Sequence, residues 1–432
     1  MDIRVVGGGL AGVEAAYQIA QRGQKVTLYE MRPHVFTPAH RTPFLSELVC
    51  SNSLKSKELS NAHGVLKEEM RLLGSIIVGT ADETAIQGGK ALVVDRERFS
   101  QVITDKIESH PLIRISREEV TGIPDGTVIF ATGPLTSDRL ADTLGALTGT
   151  SNFYFFDAIS PIVEGETIDM EKAFFGARYM DGSDDYLNCP LTRDEYDRFY
   201  EALISAERVQ LREFEKTPYF EGCLPVEIMA ERGRQTLLYG PMKPVGLTYG
   251  TGTRPYAVIQ LRREDASGTM YNMVGFQTKL TYTAQERIFK LIPALRNAVF
   301  LRYGSIHRNT YINSPAVLAR DLRLSGNERI FLAGQITGVE GYVESAAMGL
   351  LAGISACASV RGHIFSPPPE DTFVGALLNY ITTENKHFQP MNVNFGLLKG
   401  YNKKYKDAVV KNALFAISAW KDKMDRLRSP LQ

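Results

Sequence analysis

The chain has 432 residues, of which 44% are hydrophobic and 23% charged, and its 49 basic residues balance its 49 acidic ones. This length predicts two or three domains, and the composition is ordinary for a globular protein with a large core. Zero net charge argues against a uniformly basic nucleic-acid binder. We expect no transmembrane helix and no membrane partner, because no run of about eighteen consecutive apolar residues is present.

The N-terminus and the cysteines indicate a cytoplasmic protein. The first predicted strand begins at residue 3, which leaves no room for a signal peptide. The four cysteines are far apart and lack both CxxC and paired-histidine spacing. We therefore expect neither a disulfide framework nor a metal site, and a reducing cytoplasm fits.

Residues 2–30 carry a βαβ dinucleotide fingerprint: a short apolar strand, Gly7-x-Gly9-x-x-Gly12, a helix, a second strand and a terminal Glu30. Gly7 permits the tight turn, Gly9 lets a pyrophosphate approach the backbone, and Gly12 lets the helix pack close to the strand. The helix N-terminus would face the phosphates. Glu30 is placed to accept hydrogen bonds from an adenosine ribose.

Two later segments indicate which dinucleotide binds. Residues 127–133 (TVIFATG) predict a buried strand ending at Gly133, and residues 329–349 predict a strand, a loop containing Gly334 and Gly341, and a helix start. This layout is typical of FAD-binding proteins of the two-dinucleotide-binding-domain type, since NAD alone would not explain the last segment. The second helix N-terminus would point at the flavin pyrimidine ring. Gln335 departs from the acid that many such proteins carry there.

The order of elements predicts an α/β fold, with an FAD-binding Rossmann-like core interrupted by an inserted α+β domain. The core comprises residues 1–150 and 305–432, the latter ending in a basic helical segment, and the insertion comprises residues 151–304. Within the insertion we expect a long helix capped by Thr192, strands in AVIQLRRE and TMYNMVGFQTKL, and a helix broken near Pro293. Such an insertion usually supplies the substrate side of a flavin site.

Two cysteines are candidate nucleophiles. Cys50 lies in the polar loop 37–64, close to Lys55 and Lys57, and positive charge near a thiol favours the nucleophilic thiolate. Cys223 lies in a Gly-Cys-Leu-Pro turn near glutamates. The setting of Cys189 is ambiguous, and Cys357 has apolar neighbours typical of a structural cysteine.

The C-terminal segment is basic, with nine lysines and arginines against three aspartates from residue 399 onward. Such a concentration of charge suits polyanion binding, although a solvated helix face explains the charge equally well.

The whole chain resembles the folate- and FAD-dependent tRNA (uracil-5-)methyltransferase family. The resemblance rests on GGGLAGVEAAYQIAQRGQKVTLYEMRP, SELVCSNSLKS, LKEEMRLLGS, FEGCLPVE, AGQITGVEGYVESAAMGLLAG and LLNYITTENKHFQPMNVNFGLL. It implies methylation of uridine C5 at position 54 in the tRNA T-loop, with 5,10-methylenetetrahydrofolate as carbon donor. FAD would carry the carbon on its N5 and supply electrons, and NADH or NADPH would re-reduce it.

The resemblance also assigns residues. The two reactive cysteines fall on Cys50 and Cys223, whose division of labour between C6 nucleophile and C5 base stays open. The phosphate loop falls on Gly7, Gly8, Gly9, Leu10, Ala11 and Gly12. tRNA and folate are the expected partners, and no obligate protein partner is inferred. The target base must leave its stacked loop, and the basic C-terminal segment with Tyr401, Tyr405 and Trp420 would supply phosphate contacts and stacking.

Three alternatives remain. The first is the larger FAD protein that modifies tRNA wobble uridines, which usually has a further C-terminal helical domain. The second is an FAD-dependent oxidase or hydroxylase of small metabolites, which would need neither the two cysteines nor the basic segment. The third is a flavin-containing tRNA-binding protein whose main role is to help tRNA fold.

Overall fold

The computed structural model describes residues 2–149, 153–180, 182–209, 224–248, 252, 254–386 and 388–426. The strands of this part of the chain are, in order, β1 (Ile3–Val6), β2 (Val26–Tyr29), β3 (Ser53–Ser56), β4 (Ala85–Ile86), β5 (Ala91–Val94), β6 (Ile113–Ser116), β7 (Thr127–Phe130), β8 (Phe153–Ile159), β9 (Ile162–Glu164), β10 (Phe174–Phe175), β11 (Tyr186–Leu191), β12 (Ala257–Arg263), β13 (Met270–Met273), β14 (Phe300–Arg302), β15 (Ser305–Tyr311) and β16 (Ile330–Leu332).

The α-helices of the same residues are α1 (Leu10–Gln21), α2 (Ala62–Leu72), α3 (Ile76–Glu83), α4 (Arg96–Glu108), α5 (Asp138–Thr148), α6 (Arg193–Ile204), α7 (Val226–Glu231), α8 (Thr236–Tyr239), α9 (Tyr282–Phe289), α10 (Ser314–Val317), α11 (Tyr342–Val360), α12 (Phe373–Thr382) and α13 (Lys406–Arg426). Short 3-10 helices occur at Gly165–Thr167, Met170–Lys172, Pro293–Leu295, Gln335–Thr337, Phe395–Leu397 and Lys403–Tyr405.

A five-stranded parallel sheet organises the first core, with strand order β16-β7-β1-β2-β6. Its central strand β1 is hydrogen-bonded to β2 on one side and to β7 on the other. Parallel strands end at one edge of the sheet, so Gly7, Glu30 and Ala131 come together there. Strand β16 joins this sheet although residues 7–329 separate it from β1, which confirms the predicted α/β, Rossmann-like fold class.

Helices α1 and α11 pack against each other at close range. A Cβ added to Gly353 would lie 2.7 Å from the carbonyl oxygen of Ala15, and one added to Gly349 would overlap that of Ala11. Helix α11 is the one helix of the described residues that is long and apolar enough to cross a membrane. Because 83% of its apolar window is buried inside the protein, its composition is explained by the core.

A six-stranded antiparallel sheet organises the second core, in the order β10-β11-β12-β13-β9-β14. Thr192 caps α6 as predicted: its hydroxyl accepts from the N–H of Glu195, whose carboxylate accepts from the N–H of Thr192. Helix α9 ends before the 3-10 turn that begins at Pro293, which confirms the predicted break. The predicted strand from residue 269 is shorter than expected, since β13 ends at Met273.

The two cores draw on different parts of the chain. The first gathers residues 3–144 and 312–424, and the second gathers residues 163–298. Strands β8 and β15 pair with each other as a separate two-stranded ribbon. The domain boundaries at residues 150 and 304 stay a prediction.

Candidate dinucleotide cleft and cysteine cavity

The glycine loop after β1 has the shape that the fingerprint requires. Gly7 has φ +109°, and a Cβ there would lie 2.5 Å from the carbonyl oxygen of Ala131. A Cβ on Gly12 would overlap the carbonyl oxygen of Gly7, so only glycine lets α1 start this close to β1. A Cβ on Gly9 would meet nothing within 4 Å, because that position faces open space.

An open cleft of about 1010 Å³ lies beyond the carboxyl edge of the parallel sheet. The residues of the predicted cofactor set that line it are Gly7, Gly8, Gly9, Leu10, Ala11, Glu30 and Gly133. Gly9 caps α1 without any side-chain hydrogen bond, so this helix end is free to receive phosphate oxygens. The open position above Gly9 and the uncapped helix both fit the pyrophosphate of FAD.

The other three predicted glycines lie elsewhere. Gly12 packs under the loop, and Gly334, with φ +81°, lies against α1, where a Cβ would be 2.6 Å from that of Ala11. Gly341 lines a second cavity, described below. Gln335 lines both cavities and donates to the carboxylate of Glu340 at 2.6 Å.

Glu30 lines the cleft but is already well supplied with donors. Its carboxylate accepts from the backbone N–H of Gly8 at 3.0 Å and from the backbone N–H, Nε and Nη2 of Arg32. Burial alone would raise the pKa of Glu30, and the hydrogen bonds and charge of Arg32 outweigh it, so the pKa lies below its ordinary value. A ribose hydroxyl would share or replace one of these donors, and this contact stays a prediction.

Arg32 and His40 line the same cleft, and neither was predicted from the sequence. The buried guanidinium of Arg32 also contacts Glu47 at 3.0 Å. Burial and the neighbouring charge of Arg32 lower the pKa of His40 to about 4, so this imidazole is neutral at pH 7. The segment MRPHVFTPAH after the second strand contains both residues, but it carries no recognisable chemical motif.

A second cavity, of about 1220 Å³, contains the half-buried Cys50. It shares a wall with the dinucleotide cleft: the residues that line both are Val49, Pro134, Leu135, Gln335 and Tyr342. The hydroxyl of Tyr342, at the start of α11, accepts from the backbone N–H groups of Cys50 at 2.8 Å and Ser51 at 3.2 Å. The loop that carries Cys50 is therefore fixed to the helix predicted to face the flavin.

Two arginines from other segments of the chain also hold this loop. Arg262, on β12, donates to Ser51 at 2.7 Å and to Asn52 at 2.9 Å. Arg96 donates to the carbonyl oxygen of Leu48 and forms an ion pair of 2.6 Å with the buried Glu264. Sequence reasoning assigned the positive charge near Cys50 to lysines and missed both arginines.

Two of the remaining three cysteines lie in the described part of the chain, and both are buried. Cys189 is fully buried in β11, and burial raises the pKa of its thiol to about 12, so it is not a nucleophile at neutral pH. Cys357 is buried in α11 with its sulfur 4.0 Å from the carbonyl oxygen of Ile19, which confirms the structural role expected of it. Cys223 lies outside the described residues, so its role stays a prediction.

The basic segment contains α13, and one of the aromatic residues expected to stack on RNA is buried. Trp420 is only 5% exposed and donates from Nε1 to the carbonyl oxygen of Ser366 at 2.8 Å. Its proposed stacking on RNA was therefore wrong, because the indole anchors α13 to the core. Tyr405 is 58% exposed, and Phe415, which sequence reasoning missed, is 78% exposed.

The parallel sheet, the glycine loop and the open cleft define a flavoprotein of the two-dinucleotide-binding-domain type. Residues 2–363 match the family described as "Glucose inhibited division protein A". The solved structure of Aquifex aeolicus GidA in its form II crystal has a TM-score of 0.72, covers 98% of this chain and 73% of that one, and is 17% identical. At that identity the likeness shows the fold alone.

Close relatives identify the family within this class. A Bacillus pumilus protein named methylenetetrahydrofolate–tRNA-(uracil-5-)-methyltransferase TrmFO is 55% identical over 416 residues, which cover 96% of each chain. A Syntrophus aciditrophicus protein of the same name is 56% identical over 401 residues, 92% of this chain and 91% of that one. The chain belongs to this family of methylenetetrahydrofolate-dependent tRNA (uracil-5-)-methyltransferases.

Proposed function

We propose that the protein transfers a one-carbon unit from 5,10-methylenetetrahydrofolate to C5 of the uridine at position 54 in the T-loop of tRNA. When bound, FAD would supply carbon transfer and reducing electrons, and NADH or NADPH would renew those electrons. The observation that carries this proposal is the half-buried Cys50 in a cavity that shares a wall with the dinucleotide cleft. The names of the relatives support the base, the RNA and the carbon donor.

The proposed reaction needs a nucleophile and a base at one uracil ring. Uracil C5 is too weak a nucleophile to capture an electrophilic methylene unaided. A thiolate that adds to C6 converts the ring to an enolate with negative charge at C5, and a base later removes the C5 proton. Cys50 and Cys223 are the proposed pair.

The surroundings of Cys50 suit the role of the nucleophile that adds to uracil C6. Tyr342 holds the backbone N–H of Cys50 and Arg262 holds the side chain of Ser51, so the loop is fixed as the base arrives. Arg96 and Arg302 add positive charge near the thiol. Positive charge at this place would stabilise the enolate oxygen that forms on the uracil ring.

The tRNA would lie across the outer face of α13 and extend toward the cavity. Exposed lysines on and before this helix suit phosphates: Lys399, Lys403, Lys404, Lys411 and Lys423. The exposed rings of Tyr405 and Phe415 suit stacking on unpaired bases. A tRNA in the substrate role also supports a cytoplasmic location, in keeping with the free thiols of Cys50, Cys189 and Cys357.

The identity of 55% over 96% of the chain favours this function over wobble-uridine modification. A role in tRNA folding is compatible with it and stays a second proposal, motivated by the exposed basic face of α13.

Substituted tRNA tests the proposed nucleophile. In tRNA that carries 5-fluorouracil, fluorine at C5 cannot leave as a proton, so the thiol should stay attached to C6 and the complex should survive denaturing electrophoresis. We expect Cys50→Ala and Cys223→Ala each to abolish methyl transfer with FAD retained, and one of them to abolish the adduct. Cys357→Ala is the matched control and should leave both intact. Full methylation by a folded double variant of Cys50 and Cys223 would refute the assignment.

A further inference from the structure

A lysine in an unusual backbone conformation lines the cavity of Cys50. Lys55, in β3, has φ +61°, a left-handed conformation that costs an L-residue about 1–2 kcal/mol. Its side chain is only 38% exposed, whereas lysines normally extend into solvent. Strained residues in a cavity are often held there for function.

Two partners direct the ammonium group of Lys55 toward the start of α11. Its Nζ donates to Oδ1 of Asn392 and lies 3.6 Å from Oε1 of Glu344. Glu344 is itself fixed, because its side chain is 1% exposed and accepts from the N–H of Val393 at 3.2 Å. A Cβ added to Gly341 would lie 3.0 Å from this Nζ, which places the charge beside the N-cap residue of α11.

The groups gathered there form a donor and acceptor set. The N-terminus of α11 has no side-chain cap, so it presents N–H groups and a partial positive charge next to the ammonium. The second carboxylate oxygen of Glu344 is buried and has no hydrogen-bond partner among the described residues. The ammonium and the helix N–H groups can donate to a carbonyl oxygen, and the free oxygen of Glu344 can accept from a neighbouring N–H group. This combination suits a ligand with an imide edge, in which a carbonyl oxygen stands next to an N–H group.

We propose that Lys55 faces the pyrimidine edge of the flavin and stabilises the negative charge that this ring holds after two-electron reduction. Glu344 positions the ammonium and accepts the N–H of the same edge through its free oxygen. This inference rests on the proposed use of FAD, and it assigns to Lys55 a part in setting the flavin reduction potential. The target uracil has a similar imide edge, so Lys55 could face the uracil instead of the flavin. A measurement on tRNA-free protein distinguishes these two cases, because no uracil is then present.

The charge follows from the electron balance. A reduced nicotinamide donor passes a hydride to N5 of the flavin, so two electrons and one proton arrive together and the donor leaves as the oxidised nicotinamide. The flavin gains one negative charge, which is shared by N1 and the C2 carbonyl. A positive group next to that edge therefore favours the reduced form over the neutral oxidised form.

The test is the flavin reduction potential of tRNA-free holoenzyme, measured by equilibration with reference dyes. We expect Lys55→Met to lower the equilibrium constant for reduction about tenfold, which is about 30 mV for a two-electron couple. Lys55→Arg should restore most of the potential. Lys57→Met is the control, because that exposed lysine two residues along removes the same charge but does not line the cavity.

Three other outcomes would contradict the proposal. An unchanged potential in Lys55→Met, or an equal fall in Lys57→Met, would refute a local effect at the flavin. Loss of oxidised FAD from Lys55→Met would assign the lysine to cofactor binding instead, since the oxidised edge is neutral. A potential shift in a protein that does not methylate tRNA would overturn the proposed function and leave this inference standing.

Discussion

Two glycines of the phosphate loop should respond in opposite ways to the same added methyl group. Gly9 has an extended backbone, with φ −77° and ψ −173°, and a Cβ there meets nothing within 4 Å. We expect Gly9→Ala to fold, at a cost of about 1 kcal/mol for the poorer helix cap. The methyl would occupy the path of the FAD pyrophosphate, so we expect FAD to bind roughly 100-fold more weakly, a loss of about 2.7 kcal/mol.

Gly12→Ala is the structural counterpart. Its Cβ would overlap the backbone oxygen of Gly7 and lie 3.3 Å from a side-chain methyl of Val5, so no side-chain rotation relieves the clash. Helix α1 would have to move, and α11 packs tightly on its other side. We expect a loss of about 3 kcal/mol in the free energy of unfolding, the upper end of the usual overpacking cost.

Flavin absorbance after gel filtration and urea unfolding of the apoprotein measure these two effects separately. The expected pattern is a colourless, stable Gly9→Ala protein and an unstable Gly12→Ala protein. A stable Gly9→Ala protein with unchanged FAD affinity would refute the assignment of the loop to pyrophosphate.

Three further predictions follow from single side chains. Tyr342→Phe leaves two backbone N–H groups of the Cys50 loop without their acceptor, so urea unfolding should show a fall of about 2 kcal/mol in the free energy of unfolding. An unchanged free energy of unfolding would contradict a stabilising role for the Tyr342 hydroxyl. Burial lowers the pKa of Lys67 to about 7 from 10.5, so the folded protein binds fewer protons than the unfolded chain between these values and stability rises with pH there. From pH 7 to 9 the wild type should gain about 2 kcal/mol relative to Lys67→Met, and parallel urea profiles would contradict this. Lys411→Glu should weaken tRNA binding and lower the salt dependence by about one phosphate contact or more in filter binding, whereas unchanged binding would exclude α13 from the interface.

The phosphate loop was predictable from sequence because its constraints are local. Gly7 needs a positive φ, and Gly12 needs room for a backbone oxygen a few residues away. Both requirements select glycine at fixed positions of the Gly-x-Gly-x-x-Gly motif, which is visible in the sequence. The α/β class followed for the same reason, since each strand and each Gly-rich turn is readable by itself. Cys50 could be chosen from its polar neighbours.

The partners of Cys50 could not be predicted, because they come from distant parts of the chain. Arg262 is 211 residues from Ser51, to which it donates, and an arginine in a strand gives no sign that it will be buried. The prediction for Trp420 was wrong because the charges around it indicated an exposed helix. Its ring is instead buried and packs against Phe365 beneath that charged face. The count of charges identified the segment as basic without showing which of its side chains the core would bury.

Carbon transfer from folate to one uridine of tRNA can be followed with a labelled donor. Purified holoenzyme, NADH, a tRNA transcript and methylenetetrahydrofolate labelled in its methylene carbon would be incubated, and the RNA digested to nucleosides. We expect label in 5-methyluridine, and none from a transcript with cytidine at position 54 of the T-loop. Label at a wobble uridine, or none in RNA although the enzyme holds FAD, would contradict the proposed function.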